Sequence, residues 1–333
     1  MVAAHVSADR EALLDWNESP IGPPALAVKR VMDAAERLHR YPRGLMAEVT
    51  ALTADHACVT PDQVLLTAGI DEAVDLTLSM ADRAWGLWPG FDGYQDRAAA
   101  NGKSFHRIDL DQRWQPPARP PAELGDGDIL YLAQPGNPIG TSLPDEWIDA
   151  ASAEYLLVDE TYQDFASRPS ALTRPARPGR LVYRSFSKAA GLAGIRIGYL
   201  VGDPATIAGL APLRRFMPID AVSLNAAAGL LEDPDFMARL TAHVRQARPA
   251  LCAVLRDSGL FAEVRECETN FVLARPMTAA RGPLTERLDH DLVRVKDCAV
   301  LGLPGWLRIS VGSWDDQTRL ADALARVTTT EKG

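Results

Sequence analysis

Seven short apolar runs recur between residues 63 and 203, and they set the first expectation for the fold. The runs cover residues 63–69, 84–91, 104–110, 128–135, 155–162, 181–187 and 197–203. Several are almost continuously apolar, which is typical of strands that are covered on both faces. Helical patterns lie between some of them. The sequence therefore predicts an α/β fold in which a mostly parallel sheet carries helices on both faces.

One helical pattern follows the first run directly. Ile70, Val74, Leu78 and Ala81 are spaced by four, four and three residues, which places them on one apolar stripe of a helix. Folds of this kind bind ligands at the carboxyl ends of their strands. Polar residues that follow the apolar runs are therefore the first candidates for a functional site.

The pattern changes after about residue 230. A predicted helix at 233–257 is followed by strand-like runs at 270–275 and 306–312 and then by a terminal helix. The chain has 333 residues, more than a single hydrophobic core usually serves, so a second, smaller α/β domain is expected. The predicted division is an N-terminal arm that belongs to the small domain, a large domain and a small C-terminal domain, at residues 1–40, 41–230 and 231–333.

Two proline-rich segments interrupt the large domain. Residues 111–128 and 167–180 combine proline with arginine and are predicted to be surface connections.

Composition and charge exclude several classes of partner. Apolar residues make up 47% of the chain and charged residues 24%, as in ordinary soluble proteins. The formal net charge of −9 provides no basic field for nucleic acid or for a membrane surface, so neither is expected as a partner. Asp9, Arg10 and Glu11 lie where a secretory signal needs an apolar core, and no run is long enough to span a membrane. A cytoplasmic location is expected.

Cysteine and histidine give no metal signal. Cys58, Cys252, Cys267 and Cys298 are scattered without a C-x-x-C pair, so buried, reduced thiols are expected. The six histidines form no H-E-x-x-H pattern, and no metal site is expected.

The segment "RSFSKAAGLAGIRIGY" at 184–199 carries the strongest chemical signal. Lys188 follows a predicted strand, where an amine held in a cleft can form an imine with a carbonyl compound. Ser185, Ser187 and Arg196, together with free amides at the start of the next helix, can hold a phosphate dianion. A reactive lysine beside a phosphate site indicates pyridoxal 5'-phosphate, an aldehyde that carries a phosphate.

That cofactor needs an acid that keeps its pyridine nitrogen protonated, because the ring withdraws electrons best as a pyridinium. Asp159 ends the run "YLLVD", and Tyr162 follows three residues later, where it can donate to the phenolate oxygen of the ring. A turn or helix-capping role for the aspartate is the alternative.

Three more strand ends supply candidates. "TAGIDEA" at 67–73 offers the first-turn amides of Ile70 and Asp71 to the phosphate. "WPGFDGY" at 88–94 offers Phe91 and Tyr94 for stacking on the ring, with core packing as the alternative. "QPGNPIG" at 134–140 offers the amide of Asn137 to the phenolate oxygen, unless it is a plain turn residue.

Eight segments in this order resemble the motifs of fold-type-I pyridoxal-phosphate-dependent aminotransferases, and the likeness is greatest to histidinol-phosphate aminotransferases. The segments are "NESPIGPP" (17–24), "RYPRG" (40–44), "TAGIDEA" (67–73), "QPGNPIGT" (134–141), "VDETYQDF" (158–165), "SFSKAAGLAGIRIGY" (185–199), "ETNFVLAR" (268–275) and "LRISVG" (307–312). They extend over nearly the whole chain.

The resemblance implies a role for each matching residue. The expected catalytic residues are Lys188 as the Schiff-base lysine, Asp159 at the pyridinium and Tyr162 at the phenolate oxygen. The other expected cofactor ligands are Asn137, Phe91, Ser185, Ser187, Arg196, the amides of Ile70 and Asp71, and Tyr41. Members are homodimers with shared active sites, so Tyr41 is expected to reach the phosphate of the neighbouring subunit. Arg308 is expected to bind the substrate carboxylate, and Asn17 and Asn270 to line the pocket.

The chain departs from the resemblance where that family binds the phosphate of histidinol phosphate. Ser19 and Ile21 occupy the positions at which a tyrosine is expected, and Lys296 precedes Asp297 where an arginine is expected. Lysine cannot make the bidentate contact of arginine. The expected activity is therefore amino-group transfer between an amino acid, or an amine derived from one, and a 2-oxo acid, with histidinol phosphate not the main substrate.

Other functions stay open at this point. Residues 295–311 also resemble threonine-phosphate decarboxylases, and a pyridoxal-phosphate-dependent oxidase or cyclase of specialised amino-acid metabolism is possible. Ser185 to Lys188 matches the S-x-x-K of serine acyl-enzymes, but the S-D-N and K-T-G partners are absent. A regulator that only binds the cofactor usually carries a basic helix-turn-helix region, and none precedes residue 15.

Overall fold

The computed structural model of the chain describes residues 11–277 and 281–330. Asp9 and Arg10, two of the charged residues on which the expected cytoplasmic location is based, lie outside the described residues. Two sheets organise the described chain, one of seven strands and one of five.

All seven apolar runs form strands of the larger sheet, as predicted. Its strands are β2 (Val64–Thr67), β3 (Arg83–Trp88), β4 (Ser104–Asp109), β5 (Asp128–Ala133), β6 (Tyr155–Asp159), β7 (Arg180–Ser185) and β8 (Gly198–Val201). Their spatial order is β2-β8-β7-β6-β5-β3-β4. The strands from β7 to β4 are parallel, whereas β8 runs antiparallel to both of its neighbours. The predicted mostly parallel sheet is confirmed.

Burial on both faces explains why these runs are almost continuously apolar. Along β5, Ile129 and Tyr131 pack with residues of the helices Gly69–Leu78 and Gly93–Ala100, whereas Leu130 and Leu132 pack on the opposite face with Trp147. A strand between two apolar layers cannot alternate with polar residues without burying them unpaired.

Ten helices lie in the described part of the chain. They are α1 (Ala25–Ala35), α2 (Leu45–Ala57), α3 (Gly69–Leu78), α4 (Gly93–Ala100), α5 (Asp145–Asp149), α6 (Pro204–Leu210), α7 (Ala221–Leu231), α8 (Phe236–Asp257), α9 (Arg281–His290) and α10 (Trp314–Thr330). The predicted stripe lies in α3, although the helix ends at Leu78 and leaves Ala81 outside it. The helix predicted at 233–257 is α8.

The smaller sheet joins the N-terminal arm to the C-terminal part of the chain. Its strands are β1 (Ala12–Leu14), β9 (Phe261–Glu266), β10 (Phe271–Pro276), β11 (Val293–Asp297) and β12 (Leu307–Ser310). Their order is β1-β11-β12-β10-β9, with β1 parallel to β11 and the other pairs antiparallel. The strand-like runs predicted at 270–275 and 306–312 form β10 and β12. The sequence did not predict β9 or β11, whose half-buried faces carry charged residues.

The arm contacts both parts of the molecule. β1 belongs to the smaller sheet, whereas α1 packs against α7, where Gly229 allows a close approach. A Cβ atom on Gly229 would lie 2.5 Å from the carbonyl oxygen of Leu26. The division at residues 40 and 230 stays a prediction.

Two expectations were wrong in detail. The 111–128 segment is not only a surface connection, because Trp114 is buried and packs edge-on against Trp306 at 5.2 Å between ring centroids. Leu124 is buried as well. Among the cysteines, Cys58 is exposed, and the other three are buried free thiols as predicted.

The helices of residues 11–277 and 281–330 include none with the length and apolar character that a membrane span requires. The same residues hold no group of three or more histidine, cysteine or acidic side chains placed to bind a metal ion.

Candidate active site

A cavity of about 550 Å³ lies at the carboxyl edge of the larger sheet. One wall comes from the ends of β6 and β7 and the start of α3, and the opposite wall comes from arm residues 15–18 and the smaller sheet. Eleven of the predicted residues line it: Asn17, Ile70, Phe91, Asn137, Asp159, Tyr162, Ser185, Ser187, Lys188, Arg196 and Arg308. Residues from positions 17 to 308 therefore meet at one strand edge, where this fold class binds ligands.

Lys188 lies three residues after β7 and is half-buried. Its Nζ donates a hydrogen bond of 2.7 Å to the carbonyl oxygen of Trp16. Burial, together with the positive charges of Arg308 and Arg196, lowers the pKa of Lys188 to about 8, against the opposing effect of Glu18. With a pKa of about 8, roughly a tenth of this amine is unprotonated, and therefore nucleophilic, at pH 7.

Asp159 ends β6 and is only 6% exposed. Its Oδ1 accepts hydrogen bonds from the amide and the hydroxyl of Thr161, at 2.9 and 2.6 Å, and its Oδ2 accepts one of 2.6 Å from the hydroxyl of Tyr94. Burial raises the pKa of Asp159, and the hydrogen bonds from Thr161 and Tyr94 oppose that rise. No ion pair with Asp159 occurs in the part of the chain that the structure describes, so this buried carboxylate has room for a cationic partner.

Tyr162 and Asn137 each keep a donor after their contacts within the protein are made. The hydroxyl oxygen of Tyr162 accepts from Nδ2 of Asn17 at 2.9 Å, which leaves its own proton to donate. Oδ1 of Asn137 accepts from Nη1 of Arg308 at 2.6 Å, which leaves the Nδ2 amide protons. Both side chains line the cavity, so each can donate to a negatively charged oxygen there.

The predicted phosphate site is assembled around Arg196. Its Nη1 donates to the hydroxyl of Ser187 at 3.3 Å, and the amide of Ser187 donates to the hydroxyl of Ser185 at 3.0 Å. The guanidinium lies against the first turn of α3, where a Cβ atom on Gly69 would be 3.0 Å from Nη2. The residue before that helix, Ala68, has no side chain that can cap it, so the first-turn amides are left for a ligand.

The opposite wall carries unpaired positive charge. Arg308 is 6% exposed, and its Nη2 donates to the carbonyl oxygen of Asp15 at 2.6 Å. Its Nε is buried without a hydrogen-bond partner, and no carboxylate of the described residues forms an ion pair with it. Lys296 faces Arg308 across the β11–β12 pair and also lines the cavity. This wall is suited to bind an anionic group of a substrate.

Asn17 connects the arm to the smaller sheet. Its amide donates to the hydroxyl of Ser310 at 2.8 Å, that hydroxyl donates to Oδ1 of Asn17 at 2.9 Å, and Nδ2 of Asn270 donates to the carbonyl oxygen of Asn17 at 3.0 Å. Asn17 adopts a left-handed backbone conformation with φ of 56°. These bonds hold the conformation that lets its side chain reach Tyr162.

Three predicted residues lie outside the cavity. Tyr41 is 71% exposed on the surface, and Asn270 is buried behind Asn17. The carboxylate of Asp71 lies 3.8 Å from Nη2 of Arg196 on the exposed side of the phosphate site. Ser19 also lies outside, because its hydroxyl closes a local turn onto the carbonyl oxygen of Gly22.

Sequence reasoning missed the partners of Asp159. Tyr94 was a candidate for stacking, but it is buried, stacks on Tyr131 and bonds Asp159 instead, whereas Phe91 lines the cavity. Thr161 and Tyr183 also line the cavity and were not predicted. The only sequence signal for these residues was their position within three residues of a strand end or helix start.

The residues present fit pyridoxal 5'-phosphate. A buried carboxylate without a cation suits a pyridinium, two spare donors suit a phenolate oxygen, and Arg196 with the serines and the α3 amides suits a phosphate. Phe91 offers an aromatic face, and Lys188 is the amine of the same cavity.

Comparisons with known proteins identify the family. Residues 12–324 match the family model described as aminotransferase class I and II. The histidinol-phosphate aminotransferases of Haloferax volcanii and Halobacterium salinarum are each 32% identical to the chain, over 98% and 94% of it and over 92% and 90% of their own lengths.

Solved structures give the same result. A structure described as an aminotransferase from Burkholderia pseudomallei superposes with a TM-score of 0.86 at 32% identity, covering 96% of this chain and 99% of that one. The histidinol-phosphate aminotransferase of Sinorhizobium meliloti in complex with pyridoxal-5'-phosphate shares the fold, with a TM-score of 0.82 at 24% identity over 96% and 92% of the two chains. The chain therefore belongs to the class I and II aminotransferases, is similar to histidinol-phosphate aminotransferases, and uses pyridoxal 5'-phosphate as its cofactor.

Proposed function

We propose that the protein transfers an amino group between an amino acid and a 2-oxo acid, with Lys188 as the residue that holds the cofactor as a Schiff base. The observation that carries this proposal is the placement of two groups in one cavity: an amine whose pKa is lowered to about 8, and the buried guanidinium of Arg308, whose Nε has no hydrogen-bond partner among the described residues. The first can move a proton at a substrate carbon, and the second can hold the substrate carboxylate.

The cofactor, when bound, supplies an electron-withdrawing ring that accepts the charge left when the substrate α-carbon loses its proton. Asp159 has the position and the buried negative charge to keep the pyridine nitrogen protonated. Tyr162 and Asn137 each have a spare donor for the phenolate oxygen. Arg196, Ser185 and Ser187 have the donors to fix the phosphate.

Lys188 would act as the base at the α-carbon once the substrate amine has displaced it from the cofactor. The carbonyl oxygen of Trp16, at 2.7 Å from Nζ, offers a place to hold the released amine. Arg308 orients the substrate through its carboxylate, which sets the α-proton within reach of the amine. The 2-oxo acid that accepts the amino group would bind Arg308 through its own carboxylate, and Lys188 would return a proton to its α-carbon.

The substrate class follows from Arg308 and from what surrounds it. An amino acid satisfies the buried Nε that has no partner within the described chain, whereas histidinol phosphate has no carboxylate to offer. Ser19 and Ile21 lie outside the cavity, and Lys296 offers a single point charge where bidentate binding of a phosphate needs a guanidinium. We therefore propose that histidinol phosphate, the substrate in the names of the relatives, is not the main substrate here.

A homodimer with shared active sites is part of the same proposal. The arm and the loop before α7 expose large apolar side chains, among them Trp16, Met32, Leu38 and Phe216, the last of which is 85% exposed. Where exposed apolar side chains form one contiguous patch, that patch commonly marks a protein–protein interface. Tyr41 lies on the same exposed stretch, from which it would reach the phosphate in the neighbouring subunit.

A decarboxylase is the second candidate. Lys296 and Arg308 are direct cross-strand neighbours at the cavity wall, an arrangement that suits a substrate with a phosphate beside its carboxylate. L-threonine-O-3-phosphate decarboxylase from Porphyromonas gingivalis shares the fold, with a TM-score of 0.81 at 19% identity.

One panel separates these candidates. Purified holoenzyme is mixed with each of the common amino acids, histidinol phosphate and O-phosphothreonine, and loss of the absorbance band of the bound cofactor is followed together with product masses. Amino-group transfer predicts a 2-oxo acid from an amino acid. Fastest conversion of histidinol phosphate would contradict the proposed substrate class, release of carbon dioxide would favour the decarboxylase, and hydrogen peroxide formation would favour an oxidase. The Lys188→Ala variant controls for reactions of free cofactor.

A further inference from the structure

A second, smaller cavity of about 40 Å³ lies away from the active site. It is lined by Val158 of β6, by Glu160 directly after that strand, by helix α5 and by the segment that follows Arg168. None of the described residues that line it also lines the active-site cavity. The proposed function therefore gives this space no role.

Arg180 lines this cavity, and its Nε is buried without a hydrogen-bond partner among the described residues. Its side chain is only 10% exposed, and no hydrogen bond in the described chain uses its guanidinium. The nearest carboxylate oxygen is Oδ1 of Asp149, 3.9 Å from Nη1, which is too far for a hydrogen bond. Burial lowers the pKa of Arg180, and the positive charges of Arg174 and Arg177 lower it further. The Nε–H of Arg180 is therefore a buried donor that the described residues leave unsatisfied, which is costly.

Gln134 provides a second unpaired donor at the same cavity. It is 2% exposed, and its Oε1 accepts hydrogen bonds from the amide of Leu143 at 2.9 Å and from Nη1 of Arg168 at 3.2 Å. These two donors fix which end of the amide is the oxygen. The Nε2 group is therefore the other end, and it is buried without a partner among the residues that the structure describes.

The acceptors around the cavity are already engaged. Glu160 accepts from Ser170, from the amide of Ala171 and from Arg184, at 2.5, 2.5 and 3.3 Å. Asp145 pairs with Arg168 and Arg174. Three arginines and two carboxylates line the space, and Asp149, which does not line it, pairs with Arg174 at 2.8 Å and lies 3.9 Å from Arg180. Both unpaired groups, Nε of Arg180 and Nε2 of Gln134, are donors, and an anion accepts from both without needing an acceptor in return.

We propose that this cavity binds one small inorganic monoanion of the size of chloride, held by Arg180 and by Nε2 of Gln134. A volume of about 40 Å³ is roughly three times the 10–15 Å³ that one water needs, so a halide fits and a bulky organic anion does not. Arg180 begins β7, which leads to Ser185, and Gln134 begins the turn that carries Asn137. The ion therefore stabilises two segments that lead to the active site.

Thermal unfolding of the holoenzyme tests the proposal. Sodium chloride is compared with sodium gluconate at the same ionic strength, so that screening of surface charges is matched. Binding to the folded state predicts that chloride raises Tm by roughly 2–4 °C relative to gluconate, with a saturable dependence on its concentration. The Arg180→Met variant should lose this difference, whereas Arg177→Met, which removes an exposed arginine outside the cavity, should keep it. A chloride effect that survives in Arg180→Met would overturn the proposal.

Crystallography of the wild-type holoenzyme in sodium bromide decides the matter even if Arg180→Met does not fold. The expected result is an anomalous bromine peak within hydrogen-bond distance of Arg180 and Nε2 of Gln134. Ordered water without anomalous signal in the cavity would overturn the proposal, as would bromide bound only on the protein surface.

Discussion

The two walls of the active-site cavity are built in different ways. On the cofactor wall, Asp159 and Ser185 end neighbouring parallel strands, and Lys188 follows three residues later. On the substrate wall, Arg308 comes from the last strand, whereas the backbone and side chains that hold it and its neighbours come from the arm. Asn17 and Ser310, which bond each other twice, are 293 residues apart in the sequence.

Because the two walls are built differently, we expect them to control different properties of the site. The cofactor wall is an extension of buried strands, so its geometry is fixed by the packing of the core. The substrate wall also rests on buried strands of the smaller sheet, but the arm residues that complete it are joined to that sheet by polar bonds as well, each worth only about 0.5–1.5 kcal/mol. Changes on the first wall should alter cofactor retention and chemistry, and changes on the second should alter substrate binding.

Lys188→Ala is expected to have the largest effect. Removing the amine takes away both the proposed covalent attachment of the cofactor and the proposed base, and loss of a general base alone costs about 10²–10⁴-fold in rate. Amino-group transfer should fall at least ~10³-fold, and borohydride treatment should label no peptide of 185–196. Lys29→Ala, on the exposed face of α1, should change neither measurement. Borohydride labelling of another lysine in the wild-type protein would refute the assignment.

Arg308→Met should separate the two walls. Loss of charge-assisted bonds worth about 1.5–3 kcal/mol predicts that KM for the amino acid rises roughly 10–100-fold. The dissociation constant of the cofactor, measured by fluorescence, should change little. Arg196→Met should show the opposite pattern, with weaker cofactor binding and a smaller change in KM. If both variants lose cofactor and substrate equally, the separation of the walls is wrong.

The sequence predicted the cofactor wall better than the substrate wall for a physical reason. A parallel sheet brings its strand ends to one edge, so Asp159, Ser185 and Lys188 could be placed together once the strands were recognised. Arg308 and Asn17 entered only through the family resemblance, because no local pattern says that the arm joins the smaller sheet. The contact of the arm with Tyr162 depends on the left-handed backbone conformation of Asn17, which the sequence pattern does not predict.

Features that depend on packing between distant segments were also missed. Trp114 lies in a proline-rich stretch that predicts a surface loop, yet its ring finds Trp306 of the smaller sheet and is buried. The strand β11 reads "VRVKD", and this charged pattern does not indicate a strand that pairs with a neighbour on each side, as β11 does with β1 and β12. Tyr94 could not be linked to Asp159 without knowing that α4 starts over the end of β6.

The titration of Lys188 sharpens the comparison, because a residue of the substrate wall acts on the cofactor wall. Only the unprotonated amine reacts with an acylating reagent, so a pKa of about 8 predicts that labelling of Lys188 in the apoprotein rises roughly 30-fold from pH 6.5 to 9.5 and then levels off. Mass spectrometry of the 185–196 peptide measures this rise. Since the charge of Arg308 helps to lower that pKa, Arg308→Met should move the midpoint to higher pH. An unchanged midpoint would show that the two walls are electrostatically independent.

Tyr94→Phe tests the smallest effect, on a residue that acts through Asp159. The phenol donates to the carboxylate and lowers its pKa, so its removal makes Asp159 a stronger base that competes with the pyridine nitrogen for the proton. One lost hydrogen bond predicts a fall in kcat of roughly 3–10-fold with little change in KM, and a shift in the pH dependence of the absorbance of the bound cofactor. Tyr131→Phe is the matched control, because that phenol is equally buried and stacks on Tyr94 but bonds Thr77. Equal losses in both variants, without the spectral shift in Tyr94→Phe, would mean that the hydroxyl of Tyr94 supports packing rather than the charge of Asp159.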